Sequence, residues 1–283
     1  MKICDLHTHS NFSDGTLSPA QLVAAAQEEG LGAIALCDHN TVLGLPEFLA
    51  AAEGAALEAV PGAEFSTDYL NTELHILGLF IRPEHYDELT RMMEQAHARK
   101  EQSNRDLVEA LRQAGYALDY DELKSRSPSG LINRAHIAGE LIRLGYTADR
   151  NEAFSRLLSE KSGFYRRPER VGALEMIGIL KEMGAVTVLA HPFLSIKDEP
   201  MLRGFLEKAR NAGLDAMEVY YSKFDAAQTE LAVALAGEYG LLPSGGSDFH
   251  GENKPDIRLG RGRGELEVPM SLYQRLKQRA GLV

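Results

Sequence analysis

The chain has 283 residues, with 30 Lys and Arg against 41 Asp and Glu, which gives a formal net charge of −11 at pH 7. This charge argues against a protein that coats nucleic acid or an anionic membrane non-specifically, and no stable DNA binding is expected. With two cysteines and no apolar run of membrane-spanning length, the sequence predicts a globular cytoplasmic protein without disulfides.

Short apolar runs rich in Val, Ile and Leu recur along the chain, and each has the length of a strand. They lie at residues 3–6, 33–37, 57–61, 74–80, 185–190, 216–221 and 240–244. Helical patterns separate most of them, at residues 19–29, 45–53, 173–183, 201–212, 226–238 and 271–279. This alternation predicts a parallel sheet with helices on its outer side. We therefore expect an α/β fold, a distorted (β/α)7 barrel.

One stretch interrupts the alternation. Residues 83–170 show no strand pattern, and helical patterns cover residues 85–113, 134–144 and 151–160. Turn-rich segments at residues 126–130 and 145–150 separate these helices. The sequence thus predicts a barrel formed by residues 1–82 and 171–283, with residues 83–170 as an inserted helical subdomain that covers the active site.

Histidines and carboxylates follow most of the predicted strands. His7 and His9 are two residues apart on an extended segment, so their side chains point the same way. The other candidates are Asp14, His39, Glu64, His75, His191, Asp248 and His250. Since β/α barrels place their active sites at the carboxyl ends of the strands, we expect these nine side chains to converge.

Nine ligands exceed what one divalent ion needs, so two or three ions are predicted. Mixed imidazole and carboxylate ligands suit Mn²⁺, Fe²⁺ or Zn²⁺ better than Mg²⁺ or Ca²⁺. We expect Mn²⁺, with Fe²⁺ or Zn²⁺ as alternatives. Asp38, beside His39, is expected to orient a ligand imidazole.

Three histidines lie outside this set. His85 and His97 fall on polar helical segments and are expected to be solvated. His136 follows Arg134 where a helix begins, an arrangement that suits an anion site. The alternative for Arg134 and His136 is a surface position near a helix cap.

The motifs together resemble those of the polymerase and histidinol phosphatase (PHP) domain family. In chain order they read D-L-H-T-H-S with Asp14 following, C-D-H-N-T, G-A-E-F-S, L-H, A-H-P and G-S-D-F-H-G. Within the family, the chain looks like the stand-alone bacterial metal-dependent phosphoesterases. The resemblance implies a distorted seven-stranded barrel and a trinuclear site with the nine ligands named above, Glu64 bridging two ions.

The resemblance also implies phosphoester hydrolysis, because some members of this branch dephosphorylate 3′,5′-nucleotides or trim short RNA from its 5′ end. His191, Asp248 and His250 are predicted to be catalytic, and Arg134 and His136 to bind substrate phosphate. The expected reaction is attack on phosphorus by a hydroxide that the metal ions activate. The predicted substrates are 3′,5′-bisphosphate nucleosides or short 5′-phosphorylated oligoribonucleotides.

The chain departs from the family pattern in two places. Relatives carry Arg-Pro-His where this chain has Arg134, Ala135 and His136. Arg166 and Arg167 replace an apolar pattern and either extend the anion-binding region or are solvated. A glycine-rich segment at residues 258–263 carries three arginines but lacks the lysine of a Walker loop, and a surface turn is the expected structure.

Two other enzymes and one non-enzymatic function remain alternatives. Histidinol-phosphate hydrolysis uses a related scaffold. Carbon–nitrogen hydrolysis usually recruits a carboxylated lysine at a strand end, and no predicted strand here ends in lysine. A non-catalytic module that binds metal and nucleotide is the third alternative, although such domains degenerate by losing ligands and all nine are present here.

Overall fold

The computed structural model describes residues 2–126 and 132–283. The strands are β1 (Ile3–Thr8), β2 (Ala33–Leu36), β3 (Glu58–Tyr69), β4 (Thr72–Leu79), β5 (Val186–Leu189), β6 (Ala216–Tyr221), β7 (Leu242–Gly246) and β8 (Val268–Pro269). The helices are α1 (Pro19–Glu28), α2 (Leu45–Ala52), α3 (Tyr86–Gln113), α4 (Tyr120–Arg126), α5 (Arg134–Arg143), α6 (Arg150–Ala153), α7 (Ala173–Glu182), α8 (Pro192–Ser195), α9 (Glu199–Ala212), α10 (Ala226–Glu238) and α11 (Met270–Arg279).

The described residues form two compact units, one of residues 1–91 and 171–283 and one of residues 92–170. The boundary falls within α3. The first unit, here called the barrel unit, contains all eight strands, and the second, the helical unit, contains α4 to α6 and most of α3. None of the described helices is both long and apolar enough to cross a membrane.

The eight strands form one sheet in the order β7-β6-β5-β4-β3-β2-β1-β8. The sheet nearly closes on itself, because Asp248 N–H donates to His7 O at 2.8 Å and His9 N–H donates to Phe249 O at 2.9 Å. Apolar side chains such as Leu6, Val60 and Val188 fill its core. The predicted α/β barrel is confirmed.

The direction of β4 differs from the expected parallel arrangement. β1 to β3 are parallel, and so are β5 to β7, but β4 runs antiparallel to both β3 and β5. β3 continues to Tyr69, and a turn at Leu70 and Asn71 joins it to β4; both turn residues have positive φ. A two-residue connection can only join antiparallel strands, since a parallel crossover needs a longer segment.

The first helix, predicted at residues 19–29, spans Pro19–Glu28 and begins with a capping box. The Ser18 side chain accepts from Gln21 N–H, and the Gln21 side chain accepts from Ser18 N–H. Such a capping box satisfies two of the donors that a helix leaves unpaired at its N-terminus. This helix connects β1 to β2. The two cysteines, expected to be free, are both free and buried: Cys4 lies in β1, and Cys37 directly follows β2.

The helical unit has a core of its own, which includes Leu107, Leu111, Ile137 and Leu141. The helix predicted at residues 151–160 is interrupted, because α6 is followed by a turn of π-helix at Phe154–Leu158. α4 was absent from the sequence prediction. Of the turn predicted at residues 126–130, residues 127–130 lie outside the described residues.

Candidate metal centre

All nine side chains predicted from the strand ends lie together in the barrel unit. They form four overlapping groups, in each of which one possible ligand atom per residue lies within 4.8 Å of the others. The groups are His9, Asp14, His39 and His250; His7, His9 and Asp248; His7, Glu64 and His191; and His39, Glu64 and His75. We call these nine residues the ligand cluster.

His75 reaches the ligand cluster because β4 is antiparallel. It lies near the beginning of β4, opposite Ser66 of β3. The beginning of an antiparallel strand lies at the same edge as the ends of its parallel neighbours, so His75 shares this edge with His39 and His191. The sequence placed Glu64 at the end of a strand, but β3 continues for five residues beyond it.

Glu64 lies at the centre of the cluster. Its Oε1 lies 2.7 Å from His75 Nδ1 and 2.9 Å from His191 Nε2. Its Oε2 lies 3.0 Å from His39 Nδ1, 3.3 Å from His7 Nε2 and 3.4 Å from His9 Nε2. One carboxylate with a separate set of imidazoles at each oxygen has the arrangement of a bridging ligand.

The cluster is closed at one end and open at the other. The side chains of His7, His9 and Glu64 are fully buried. Those of His39 and Asp14 are 27% and 56% exposed. A small molecule can therefore approach the cluster from the side of Asp14 and His39.

Several buried polar atoms of the cluster have no hydrogen-bond partner within the described part of the chain. They are His7 Nε2, both ring nitrogens of His9, His39 Nδ1, Glu64 Oε2, His191 Nδ1 and His250 Nε2. A buried polar atom without a partner is costly, and the great majority of such atoms in native proteins are satisfied. Imidazole nitrogens and carboxylate oxygens are ligands of divalent transition metals, so this donor set fits metal ions.

Electrostatics within the cluster are dominated by burial and by Glu64. Burial tends to raise the pKa of Glu64, but His7, His75 and His39 lower it well below its usual range. Burial lowers the pKa of His9 to about 3, which keeps its imidazole neutral. The pairing with Glu64 conversely raises the pKa of His7, His39 and His75. Because metal binds the neutral imidazole, a bound ion would displace protons from these three side chains.

The backbone is strained at two members of the cluster. His191 and Asp248 have φ values of +28° and +58°, in a region that non-glycine residues rarely adopt. Each follows a strand, β5 or β7, at the point where the chain turns. Such strain persists where the surrounding structure enforces it, commonly at functional sites.

Family membership is decided by comparison with known sequences and structures. The family model described as PHP domain matches residues 5–166. The chain belongs to the PHP family. It is 31% identical over 246 residues to a 5′-3′ exoribonuclease of Haemophilus influenzae, a match that covers 87% of this chain and 89% of the relative.

Two further matches extend over most of this PHP protein. It is 27% identical to a 3′,5′-nucleoside bisphosphate phosphatase of Chromobacterium violaceum, over 89% of this chain and 90% of that one. The solved structure of a putative metal-dependent phosphoesterase from Bifidobacterium adolescentis superposes with a TM-score of 0.72 at 28% identity, covering 98% of this chain and 96% of that one. These matches confirm the predicted class, a metal-dependent phosphoesterase.

Glu218 supports the cluster of this PHP protein and was missed in the sequence. It lies fully buried in β6, and its Oε1 accepts from His7 Nδ1 at 2.9 Å. Its Oε2 accepts from the backbone N–H of His191 at 2.7 Å. A carboxylate that binds one imidazole nitrogen directs the other nitrogen toward the cluster. The available signal was a single acidic residue within an otherwise apolar strand.

Tyr221 and Lys254 also contact the cluster and were not predicted. The Tyr221 hydroxyl and the Lys254 ammonium both donate to Asp248 Oδ2 at 2.8 Å. The other oxygen, Oδ1, lies 3.3 Å from His9 Nε2. These two donors fix the orientation of the Asp248 carboxylate. No short motif connects them with Asp248.

Asp38 has a different role from the one expected. Instead of orienting an imidazole, its carboxylate accepts from Ser10 N–H at 2.7 Å, from Ser10 Oγ–H at 2.6 Å and from Ser13 Oγ–H at 2.6 Å. These bonds fix the loop that follows β1, and that loop carries Asp14. Asp38 therefore acts on the site through the backbone of a ligand-bearing loop.

Arg134 and His136 lie in the helical unit, at the beginning of α5. The Arg134 guanidinium stacks over the Tyr165 ring at 4.2 Å and donates to Leu158 O at 3.2 Å. His136 is exposed, and its Nδ1 accepts from Asn133 N–H at 3.2 Å. His136 thus occupies an exposed position beside the helix cap at Asn133, which is the alternative that the sequence left open.

The arginines of the glycine-rich segment differ in their contacts. Arg261 pairs with Glu267 at 2.8 Å, and Arg263 pairs with Asp256 at 3.0 Å. Gly260 N–H donates to Asp5 at 2.8 Å. The segment forms a turn, because Arg258 and Gly262 pair across it. It lies only partly at the surface that the sequence favours, since Leu259, Gly260 and Gly262 are buried.

Proposed function

We propose that this protein hydrolyses phosphate esters of nucleotides, with the nine residues of the ligand cluster holding two or three divalent ions. Its proposed substrates are 3′,5′-bisphosphate nucleosides or short 5′-phosphorylated oligoribonucleotides. The observation that carries the proposal is the set of buried, unpartnered ligand atoms around Glu64. We further propose Mn²⁺ as the metal, a trinuclear arrangement, and a cytoplasmic location consistent with two buried free thiols.

The overlap of the four ligand groups supports more than one ion. Glu64 belongs to two of the groups, and His7, His9 and His39 each belong to two groups as well. Neighbouring ions would share these ligands. When bound, divalent ions lower the pKa of water toward neutrality and neutralise charge that develops on a phosphoryl group.

The chain's own residues have separable roles in this proposal. Glu64 is proposed to bridge two ions. His191, Asp248 and His250 are proposed as the catalytic residues, because the loops that follow β5 and β7 bring their side chains into the ligand cluster. Tyr221 and Lys254 hold the Asp248 carboxylate by one oxygen and leave the other directed at the cluster.

The proposed substrate class rests on the relatives. One is named a 5′-3′ exoribonuclease and another a 3′,5′-nucleoside bisphosphate phosphatase. Both names describe phosphate esters of nucleotides. A negative net charge on the whole chain disfavours long nucleic acids, so a small substrate is the better fit.

Arg134 and His136 are proposed to bind a substrate phosphate, with residues 83–170 covering the active site. Stacking on Tyr165 restricts the Arg134 guanidinium to one orientation. A guanidinium held in this way suits recognition of a phosphate. Replacement of Arg134 by alanine is expected to raise KM more than it lowers kcat.

The proposal is tested with the metal-reconstituted protein and four substrates: a 3′,5′-bisphosphate nucleoside, a mononucleotide, histidinol phosphate and a short 5′-phosphorylated RNA. The highest kcat/KM is expected for the bisphosphate nucleoside or the RNA. Preference for histidinol phosphate would contradict the proposed substrate. Nucleotide binding without turnover of any ester would point to a non-catalytic module.

A further inference from the structure

Exposed apolar side chains occur on loops that also carry members of the ligand cluster. Phe12 is 43% exposed and precedes Asp14 by two residues, and Leu43 is 59% exposed and follows His39 by four. Among the large hydrophobic residues exposed in the described part of the chain, Phe12 is the one aromatic residue. Exposed apolar groups beside a polar site are characteristic of binding surfaces.

The loop that carries Phe12 is held in place by several bonds. Asn11 N–H donates to Leu17 O at 2.8 Å, and Gly15 N–H donates to Ser10 O at 2.9 Å. Ser10 and Ser13, on either side of Phe12, both donate to the Asp38 carboxylate. Phe12 is therefore presented on a fixed turn.

One edge of the Phe12 ring packs against the loop that follows β2. A side chain built at Gly44 would approach Phe12 Cδ2 to 3.2 Å. The glycine thus lets the ring lie over the backbone next to Leu43. The two loops that meet here carry Asp14 and His39, whose Oδ1 and Nε2 are 3.8 Å apart and form the exposed side of the cluster.

We propose that Phe12 is a specificity-determining residue that stacks on the base of the nucleotide whose phosphate is bound at the ligand cluster. This inference rests on the proposed function, because a base is present only in nucleotide substrates. Every base has an aromatic face, so stacking on Phe12 would favour nucleotides over other phosphate esters without selecting one base. Because the turn already holds Phe12 in place, the side chain loses little conformational entropy when the base binds, and this favours affinity.

Steady-state kinetics with adenosine 3′,5′-bisphosphate test the inference. Phe12→Ala is expected to raise KM about 10-fold with little change in kcat, a loss in the range found for stacking. Phe12→Leu keeps apolar area but removes the aromatic face, and a similar rise is expected. Val233→Ala is the control, because Val233 is similarly exposed (42%) on α10 and is expected to leave KM unchanged.

A binding measurement gives a second readout. The sequence contains no tryptophan, so Phe12→Trp introduces a single tryptophan at the proposed stacking position, and its fluorescence can be excited apart from that of the ten tyrosines. Adenosine 5′-monophosphate is expected to quench its fluorescence, and ribose 5-phosphate, which lacks a base, is not.

The outcomes separate this inference from the proposed function. If the wild-type protein turns over no nucleotide, the proposed function fails. If it turns over nucleotides but Phe12→Ala and Phe12→Leu keep the wild-type KM, the stacking role of Phe12 is overturned. The same holds if adenosine 5′-monophosphate and ribose 5-phosphate quench the tryptophan fluorescence equally.

Discussion

The ligand cluster of the barrel unit and Glu140 of the helical unit are both buried charged groups, but their charges are neutralised in different ways. In the barrel unit, imidazole nitrogens and one Glu64 oxygen face each other without hydrogen-bond partners among the described residues. In the helical unit, Glu140 is 8% exposed and pairs with Arg126 and Arg143 at 2.7 Å. The buried carboxylate of the helical unit is therefore neutralised by side chains of the same unit. The unpartnered atoms of the ligand cluster are instead suited to a ligand from outside the chain.

Removing a member of the cluster should have the largest effect. Asp248→Asn is expected to lower kcat/KM by on the order of 10³-fold or more, because metal ions supply several kcal/mol of transition-state stabilisation. Steady-state turnover of a 3′,5′-bisphosphate nucleoside measures this. Asp256→Asn, at an exposed carboxylate of the same unit, is the matched control and should keep wild-type activity. Full activity in Asp248→Asn would contradict the assignment.

Loss of a supporting carboxylate should have the next largest effect. Glu218→Ala removes the acceptor for His7 Nδ1 and for His191 N–H, and it is expected to weaken metal affinity by roughly 10- to 100-fold. Titration with Mn²⁺ by calorimetry measures the affinity. Glu218→Gln retains a hydrogen-bond acceptor, so its metal affinity should fall less than that of Glu218→Ala. Equal affinity in Glu218→Ala and the wild type would show that Glu218 does not position the imidazoles.

Metal removal should destabilise the barrel unit more than the helical unit. An ion that binds only the folded state stabilises it by about 2.7 kcal/mol at 100 times its Kd. Addition of Mn²⁺ to chelator-treated protein is therefore expected to raise Tm by several degrees. Hydrogen exchange should show the increased protection in β1, β5 and β7. If the increased protection were confined to residues 92–170, the expectation that metal stabilises mainly the barrel unit would be wrong.

The helical ion pairs should make the smallest contribution. Arg143 lowers the pKa of Glu140 to about 2, with a further contribution from Arg126. Because the folded pKa lies below the usual value of 4.5, this stabilisation is present above about pH 4.5 and is lost as the pH falls toward 2. Both arginines are partly exposed, so Glu140→Gln is expected to cost only about 1 kcal/mol at pH 7.

Urea unfolding at pH 7 and pH 3 measures this contribution. The difference between Glu140→Gln and the wild type should shrink at pH 3, and turnover at pH 7 should be unchanged. A difference that grows at acidic pH would contradict the pairing.

The sequence predicts the ligand cluster well because its members lie close to strand ends. The spacing of His7 and His9 defines a common direction, and barrel topology brings distant strand ends to one edge. Glu218 was missed because its partners, His7 and His191, are 211 and 27 residues away, and no local pattern encodes such a contact. Long-range support of this kind depends on the fold.

The direction of β4 was also missed, for a different reason. An apolar strand has the same pattern whichever way it runs, and only the connection determines its direction. The connecting residues, Leu70 and Asn71, are not a typical two-residue hairpin sequence, although Asn tolerates positive φ. The absence of a helical pattern between residues 61 and 74 was the available signal.

The ligand cluster is proposed to hold several metal ions. The most direct test is elemental analysis of the wild-type protein after loading with Mn²⁺ and removal of excess metal, with Glu64→Gln as the comparison. Two or three ions per wild-type chain are expected, with fewer in Glu64→Gln because a bridging ligand is impaired. A metal-free wild-type chain, or a metal content that Glu64→Gln leaves unchanged, would contradict the claim.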